Sequence, residues 1–137
     1  MVTNQGINHM WDVTIHAAAQ ITTWYIVPFT NNYTPTVADD AASFHGAAGE
    51  ATTQYAEGSR PTFVEGAASG QVIGNTASEG VITATGAVTI YGFGLSSSPL
   101  KGSASGILLA AARFPTPKTL EAGEQLKLTA ELTGVNV

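Results

Sequence analysis

The stretch GILLAAARFPTPKTLEAGEQLKLTAELTG, residues 106–134, contains two apolar runs joined by a turn-rich connector. In the second run the even positions are apolar and most odd positions are polar; the apolar ones are Leu120, Ala122, Leu126, Leu128, Ala130 and Leu132. This alternation is typical of an antiparallel strand with one buried and one solvated face. Pro115 and Pro117 exclude a helix that enters from the first run. The stretch therefore predicts a strand pair, with a turn or bulge at Gly123.

The rest of the chain adds short strand candidates separated by Gly, Pro and Asn. The clearest are residues 21–29, where Pro28 is expected to end the strand or to place it at an edge, and residues 87–95. With shorter candidates they give about seven or eight strands, at a spacing typical of sandwiches. The predicted fold is all-β, an antiparallel β-sandwich or barrel in one domain, residues 1–137.

Only residues 37–49 have helical character. Asp39 or Asp40 is expected to cap a short helical turn that Gly46 closes. The prediction is therefore at most one short helix.

Two interpretations fit the N-terminal residues. After a polar start, Trp11, Val13 and Ile15 alternate with polar residues, which favours a short strand. In the first interpretation, this segment is an edge strand preceded by a frayed terminus. In the second, it is the end of an N-terminal arm, residues 1–12, that docks on a neighbouring protein. The second interpretation follows from the solubility cost of an exposed Trp11.

The composition restricts the classes of partner. Hydrophobic residues make up 44% of the chain, which excludes a disordered chain. Charged residues make up 11%, against roughly 25% in ordinary soluble proteins, so we expect partners to cover much of the surface. The five basic residues are scattered, which argues against nucleic acid. The absence of a polybasic stretch and of a long apolar run argues against a membrane.

The sequence also indicates where the protein is made. It contains no cysteine, which favours assembly in a reducing cytoplasm. The first residues lack the charged and apolar regions of a signal peptide. We therefore expect synthesis in the cytoplasm without export by the usual route.

No motif indicates catalysis. The three histidines do not stand at paired metal-ligand spacing, and the pattern favours a hydrogen-bonded loop histidine at His45 over a metal ligand. Asp39 and Asp40 lack the spacing of a calcium loop, and the serines and glycines form neither a nucleophile elbow nor a phosphate loop. We expect no catalytic residue, no cofactor and no metal, and hence no enzyme.

Aromatic residues cluster between positions 24 and 33. Trp24, Tyr25, Phe29 and Tyr33 could together form a platform that stacks on sugars. A Trp on an apolar strand is more often part of the core, whereas Tyr33 lies in a polar loop. Tyr33 is thus the better candidate for contact with another molecule.

The order of several short pieces resembles a known family. The pieces are NHMWDVT at residues 8–14, TWY at residues 23–25, a segment with Ala38, Asp39, Ser43, His45 and Gly46, then Tyr55 and the Arg60-Pro61 pair, and an ending from Ala111 to Thr129. Together they resemble small virion structural proteins of tailed bacteriophages, most closely the capsid cement (decoration) proteins of short-tailed phages. The chain departs from that pattern at Pro28 and Phe29.

The resemblance implies a jelly-roll-like sandwich on the capsid surface of the virion. It would bind the major capsid protein on the outer face of the lattice, tie capsomers together and self-associate as a dimer. The expected contacts are the extended N-terminal arm, the loop of residues 28–36 and the segment of residues 37–50. The residues that we expect to bind partners are Asn4, Asn8, Trp11, Tyr33, Asp39, Asp40, Phe44 and His45. The alternative is a host-binding or carbohydrate-binding module of a phage tail or fibre.

Overall fold

The computed structural model describes residues 1–135, which contain two helices and eight strands. The helices are α1 (Asn4–Thr14) and α2 (Ala41–Ala47). The strands are β1 (Trp24–Phe29), β2 (Thr62–Phe63), β3 (Val72–Gly74), β4 (Gly80–Thr83), β5 (Val88–Ser96), β6 (Leu108–Leu120), β7 (Gln125–Leu128) and β8 (Glu131–Thr133). All their pairings are antiparallel. The prediction of a mainly antiparallel β fold is confirmed, whereas the limit of one short helix is wrong.

A four-stranded sheet forms the centre of the fold. Its strand order is β2-β1-β5-β6. The other four strands form two antiparallel two-stranded ribbons, β3-β8 and β4-β7. Along β1, Ile26 packs in a cluster with Ile82 and Leu128 of the β4-β7 ribbon, while Val27 packs in a second cluster with Phe44 of α2. β1 is thus buried on both faces of the sheet. This explains why β1 is almost continuously apolar in sequence.

Pro28 lies inside β1 and does not end it. β2 pairs only with Trp24 and Tyr25, so at Pro28 the sheet has a strand on one side only, β5. On the other side Ala51 N–H donates to the Pro28 carbonyl at 2.9 Å. The missing N–H of proline is therefore not needed by any strand, as at a sheet edge.

The C-terminal stretch does not form the predicted strand pair. β6 pairs with β5, β7 with β4 and β8 with β3, so that prediction is wrong. The alternation itself is correct, because Leu128 is buried between exposed Lys127 and Thr129. Alternation specifies which face of a strand is buried, and not which strand lies beside it. Pro115 and Pro117 lie within β6, among the four residues 114–117 that stand opposite the single residue Tyr91 of β5, and such a bulge tolerates proline.

A helix replaces the extended N-terminal arm and the short strand predicted at residues 11–15, so both predictions are wrong. Residues 1–3 pair with β6, where Thr3 N–H donates to the Leu109 carbonyl at 3.0 Å. Thr3 Oγ1 then accepts from Gly6 N–H at 3.0 Å and caps α1. The period-two pattern covered only five residues, whereas Trp11 and Ile15 extend a helical spacing of four that begins at Ile7.

α2 follows the predicted cap. Asp40 accepts from Ser43 N–H at 2.8 Å, and the Ser43 hydroxyl accepts from Asp40 N–H at 3.3 Å, which forms a capping box. The helix ends at Ala47, and Gly49, with φ of +66°, follows it in place of the predicted Gly46. Within residues 1–135, neither helix is long and apolar enough to cross a membrane.

Candidate protein-binding site

The outer side of α1 exposes four large apolar side chains, Ile7, Met10, Trp11 and the C-cap residue Ile15. Trp11 is 62% exposed and Ile15 is 75% exposed. Spacings of three and four residues return each side chain to the same side of a helix. These four residues therefore form one continuous surface, which we call the α1 face.

The opposite side of α1 is fixed to the body of the protein. Gly6 is buried, and a Cβ at this position would collide with the backbone carbonyl of Leu109. The Gln5 side-chain oxygen accepts from Leu108 N–H at 2.7 Å and from Ala41 N–H at 3.0 Å. Because these bonds join α1 to β6 and to the start of α2, packing determines the direction in which the α1 face points.

The α1 face contains no charge, and Asp12 is the one acidic or basic residue of the helix apart from His9. A contiguous exposed apolar surface on a soluble protein indicates an interaction site. Met and Trp are also enriched in protein interfaces, whereas charged residues are depleted at their centres. The composition of the α1 face thus matches a protein-binding surface.

The loop before α2 uses its predicted contact residues internally. The Tyr33 hydroxyl donates to Asp39 at 2.6 Å, and the second oxygen of that carboxylate accepts from Thr36 N–H at 2.7 Å. The hydrogen bond to Asp39, and secondly burial, raise the pKa of Tyr33. The hydrogen bonds from Ser43 hold the pKa of Asp40 below its usual value. These side chains order the loop and the start of α2.

Phe44 and His45 differ in their accessibility. Phe44 is 2% exposed and packs edge-to-face on Phe29, with ring centroids 5.7 Å apart, so its ring is not accessible to a partner. His45 is half-buried, and its Nδ1 has no hydrogen-bond partner among the residues that the structure describes.

The structure places the predicted contact residues in two adjoining groups. Asn4, Asn8 and Trp11 are all exposed on α1, at spacings that share one side of the helix. Asn4 N–H donates to the Val37 carbonyl at 2.8 Å, so the first turn of α1 meets the loop before α2. The other group, in that loop and in α2, is largely internal.

Sequence reasoning did not single out three residues of the α1 face: Ile7 and Met10, which lie within the predicted contact arm, and Ile15, which lies outside it. The signal that identifies them is their helical spacing relative to Trp11, which the short period-two pattern obscured.

A groove of about 530 Å³ lies between α1, β3 and β8. Its apolar walls include Val13, Phe63, Ile73 and Leu132. Trp24 also lines the groove, and its ring packs edge-to-face with that of His9. The two ring centroids are 5.8 Å apart, and the ring planes meet at 71°. The volume is in the range of small-molecule sites, about 300–1,000 Å³. Met10 of the α1 face also lines this groove, so the α1 face and the groove adjoin along one edge of the helix.

The aromatic residues do not form the sugar-binding platform. Trp24 packs against the cluster that contains Ile26, whereas Tyr33 packs against the cluster that contains Phe44. These clusters lie on opposite faces of the central sheet, so Trp24 and Tyr33 cannot present one common surface.

Two buried charged side chains, Arg60 and Glu50, stabilise loops. Arg60 forms a two-bond ion pair with Glu50, at 2.8 and 2.7 Å, and it also donates to the carbonyls of Ser98 and Ser103 at 3.0 and 3.1 Å. Both side chains are about 1% exposed. Across residues 1–135, no group of three or more His, Cys, Asp or Glu side chains could hold a metal ion.

No protein-family model matches the chain, and no curated protein matches it either. The α1 face and the adjoining groove are consequently the features that indicate a function.

Proposed function

We propose that this chain is a structural protein that binds a neighbouring protein through the α1 face. The observation that carries the proposal is the exposure of Ile7, Met10, Trp11 and Ile15 on one side of a helix whose other side is fixed to β6. Exposed apolar side chains gain about 1.5–3 kcal/mol each when they become fully buried. A surface held rigidly in this way loses little conformational entropy when it binds.

The partner that we propose is the major capsid protein of a tailed bacteriophage. The chain would then be a cement protein on the outer face of the capsid lattice of the virion, made in the host cytoplasm, that stabilises contacts between capsomers. The family resemblance of the sequence supports this role, as does a content of charged residues of only 11%. The α1 face is small, but the many copies on a lattice multiply modest contacts into high avidity.

The proposed fold is a jelly-roll-like sandwich, and the proposed assembly is a dimer. The central sheet and the two ribbons would form the two layers of a jelly-roll-like sandwich, with α2 outside it. The packing of Ile82 and Leu128 from one ribbon against Ile26 of the sheet supports two facing layers. Self-association as a dimer is part of the same proposal.

The alternative is a host-binding or carbohydrate-binding module of a tail or fibre. Its expected aromatic platform has little support, because Trp24 and Tyr33 pack against opposite faces of the sheet. Binding to capsids therefore has the stronger physical argument.

The test is binding to capsids assembled without this chain. The purified protein is mixed with these capsids, and the bound copies are counted after sedimentation. A Trp11→Ser/Ile15→Ser variant is compared with a Val64→Ser/Leu100→Ser variant, which removes two exposed apolar side chains outside α1. We expect at least a tenfold loss of affinity for the first variant, because a buried Trp anchor contributes about 2 kcal/mol or more. The control variant should bind like the wild type.

Two results would contradict the proposal in different ways. If the wild type does not bind capsids, the capsid role is wrong. If the α1 variant binds as tightly as the control, the α1 face is not the contact. Electron microscopy of bound particles separates the outer capsid from the tail as the site of attachment.

A further inference from the structure

β8 pairs with β3 through alternate residues. Gly134 N–H donates to the Gln71 carbonyl at 2.8 Å, and Asn75 N–H donates to the Ala130 carbonyl at 3.3 Å, which marks a hydrogen-bonded pair at each end of the ribbon. In an antiparallel ladder, bonded pairs alternate with non-bonded pairs. The bonded residue of β8 between these two ends is therefore Leu132.

The other two residues of β8 face away from β3. By the same alternation, the backbone N–H and C=O groups of Glu131 and Thr133 point to the outer edge of the ribbon. The opposite edge of the ribbon is covered, because Val72 exchanges hydrogen bonds with Ser69 at 2.9 and 3.1 Å. In contrast, within residues 1–135 the backbone groups of Glu131 and Thr133 have no partner. β8 is thus an edge strand able to accept a further strand.

An apolar hollow lies beside this edge, between β8 and β6. It has a volume of about 190 Å³, and its walls include Phe93, Leu95, Phe114 and Ala112. The rings of Phe93 and Phe114 meet edge-to-face, with centroids 5.9 Å apart. An apolar cavity of about 150 Å³ is large enough to hold benzene. The hollow therefore has room for one aromatic side chain.

We propose that the outer edge of β8 and this hollow bind an extended segment of another polypeptide, which adds a strand to the β3-β8 ribbon. The outward-facing N–H and C=O groups of β8 occur at every second residue, at Glu131 and Thr133. The backbone of an extended segment presents its donors and acceptors with the same repeat, so it can pair with this edge. The side chain of that segment nearest the hollow would be aromatic, because all residues that line the hollow except Thr129 and Glu131 are apolar. This surface is distinct from the α1 face, and the proposal does not require a capsid as the partner.

The experiment uses the full chain and, as the probe, the peptide TVFVT-amide, which is labelled with fluorescein at its N-terminus. Fluorescence anisotropy measures its binding. A second peptide has the same side chains but N-methylated backbone nitrogens, so it cannot donate to a strand edge. We expect saturable binding of the first peptide and at least tenfold weaker binding of the second.

Variants of the chain locate the binding site. Glu131→Pro removes an N–H that points away from β3, and so it leaves the ribbon hydrogen bonds in place. Ala112→Phe fills the hollow from an exposed position, and Ala122→Phe, at an exposed position that does not line the hollow, is its matched control. We expect at least tenfold weaker peptide binding for the first two variants and unchanged binding for Ala122→Phe. If Glu131→Pro lowers the melting temperature, Ala112→Phe alone decides the site.

Three results would overturn the proposal. The first is the absence of saturable peptide binding at up to about 1 mM, the weakest affinity that such an edge should provide. The second is equal binding of the N-methylated peptide. The third is a dimer of the chain that Glu131→Pro abolishes, since the occupant of the edge would then be a second copy of β8.

Discussion

The two helices have similar N-terminal caps but use their apolar residues in opposite ways. α2 places Phe44 in the core, against Phe29, and its capping box orders the loop before it. α1 buries Gly6 and leaves Trp11 and Ile15 exposed. The apolar residues of α2 therefore stabilise the fold of the isolated chain, whereas the exposed apolar residues of α1 can contribute only when a partner covers them. This difference separates the structural helix from the helix that we propose to bind.

The largest expected difference is between Phe44→Ala and Trp11→Ala. Removing the buried ring of Phe44 should lower the free energy of unfolding by about 3–5 kcal/mol. Removing the exposed ring of Trp11 should change it by no more than about 0.5 kcal/mol. Urea denaturation followed by circular dichroism measures both. A comparable loss in the two variants would show that α1 is also a structural helix.

Breaking the ion pair between Arg60 and Glu50 should lower the free energy of unfolding by a similar amount. Arg60→Met leaves Glu50 as a buried charge without its cation, which should cost about 3–5 kcal/mol of unfolding free energy. The double variant Arg60→Met/Glu50→Leu removes both charges and should recover most of that loss. Denaturation curves of the single and double variants test this, and equal stability of the two would refute the role of the unpaired charge.

Gly6→Ala and Gly46→Ala should act in opposite directions. A Cβ at Gly6 collides with the Leu109 carbonyl, so we expect a loss of about 1–3 kcal/mol. A Cβ at Gly46 meets nothing within 4 Å, so alanine there should stabilise α2 by about 0.5–1 kcal/mol. Thermal unfolding measures both changes. A harmless Gly6→Ala substitution would mean that α1 does not lie tightly against β6.

The smallest expected effect is a difference in acid sensitivity between the two helix caps. The pKa of Asp40 is lowered by the hydrogen bonds from Ser43. Since the folded-state pKa is below the unfolded one, the carboxylate stabilises α2 at pH above its unfolded value, and this stability is lost as the pH falls through the folded pKa. The Thr3 cap of α1 does not titrate.

The variant Asp40→Asn keeps a capping oxygen without the charge. We expect its unfolding free energy to fall less than that of the wild type between about pH 6 and pH 2. Parallel pH profiles of the two proteins would show that Asp40 contributes nothing to acid sensitivity.

The sequence allowed some elements to be predicted because their signals are local. The alternation around Leu128 correctly indicated a half-buried strand, and the cap at Asp40 correctly indicated a short helix. The partner of each C-terminal strand could not be predicted, because local alternation contains no information on long-range pairing. α1 was missed because its signal depends on Thr3 and Ile7, upstream of the five residues that resemble a strand.

The candidate site was predictable only in part. Trp11 was identified from its hydrophobicity, but Ile7, Met10 and Ile15 become a surface only once the helix is known. The Arg60–Glu50 pair was not predicted, because the carbonyls of Ser98 and Ser103 that accept hydrogen bonds from Arg60 lie about forty positions away in the chain. The outer edge of β8 likewise follows from the pairing of β3 and β8, which the sequence does not specify.

The fluorescence of Trp11 on binding shows directly whether a partner covers the α1 face. The chain contains two tryptophans, so Trp24→Phe leaves Trp11 as the only one. We predict that saturating binding to capsids shifts the Trp11 emission to shorter wavelength and protects it from quenching by acrylamide, because the partner covers a side chain that is 62% exposed in the isolated chain. Unchanged emission and quenching at full occupancy would show that the α1 face stays exposed, and would contradict binding through that face.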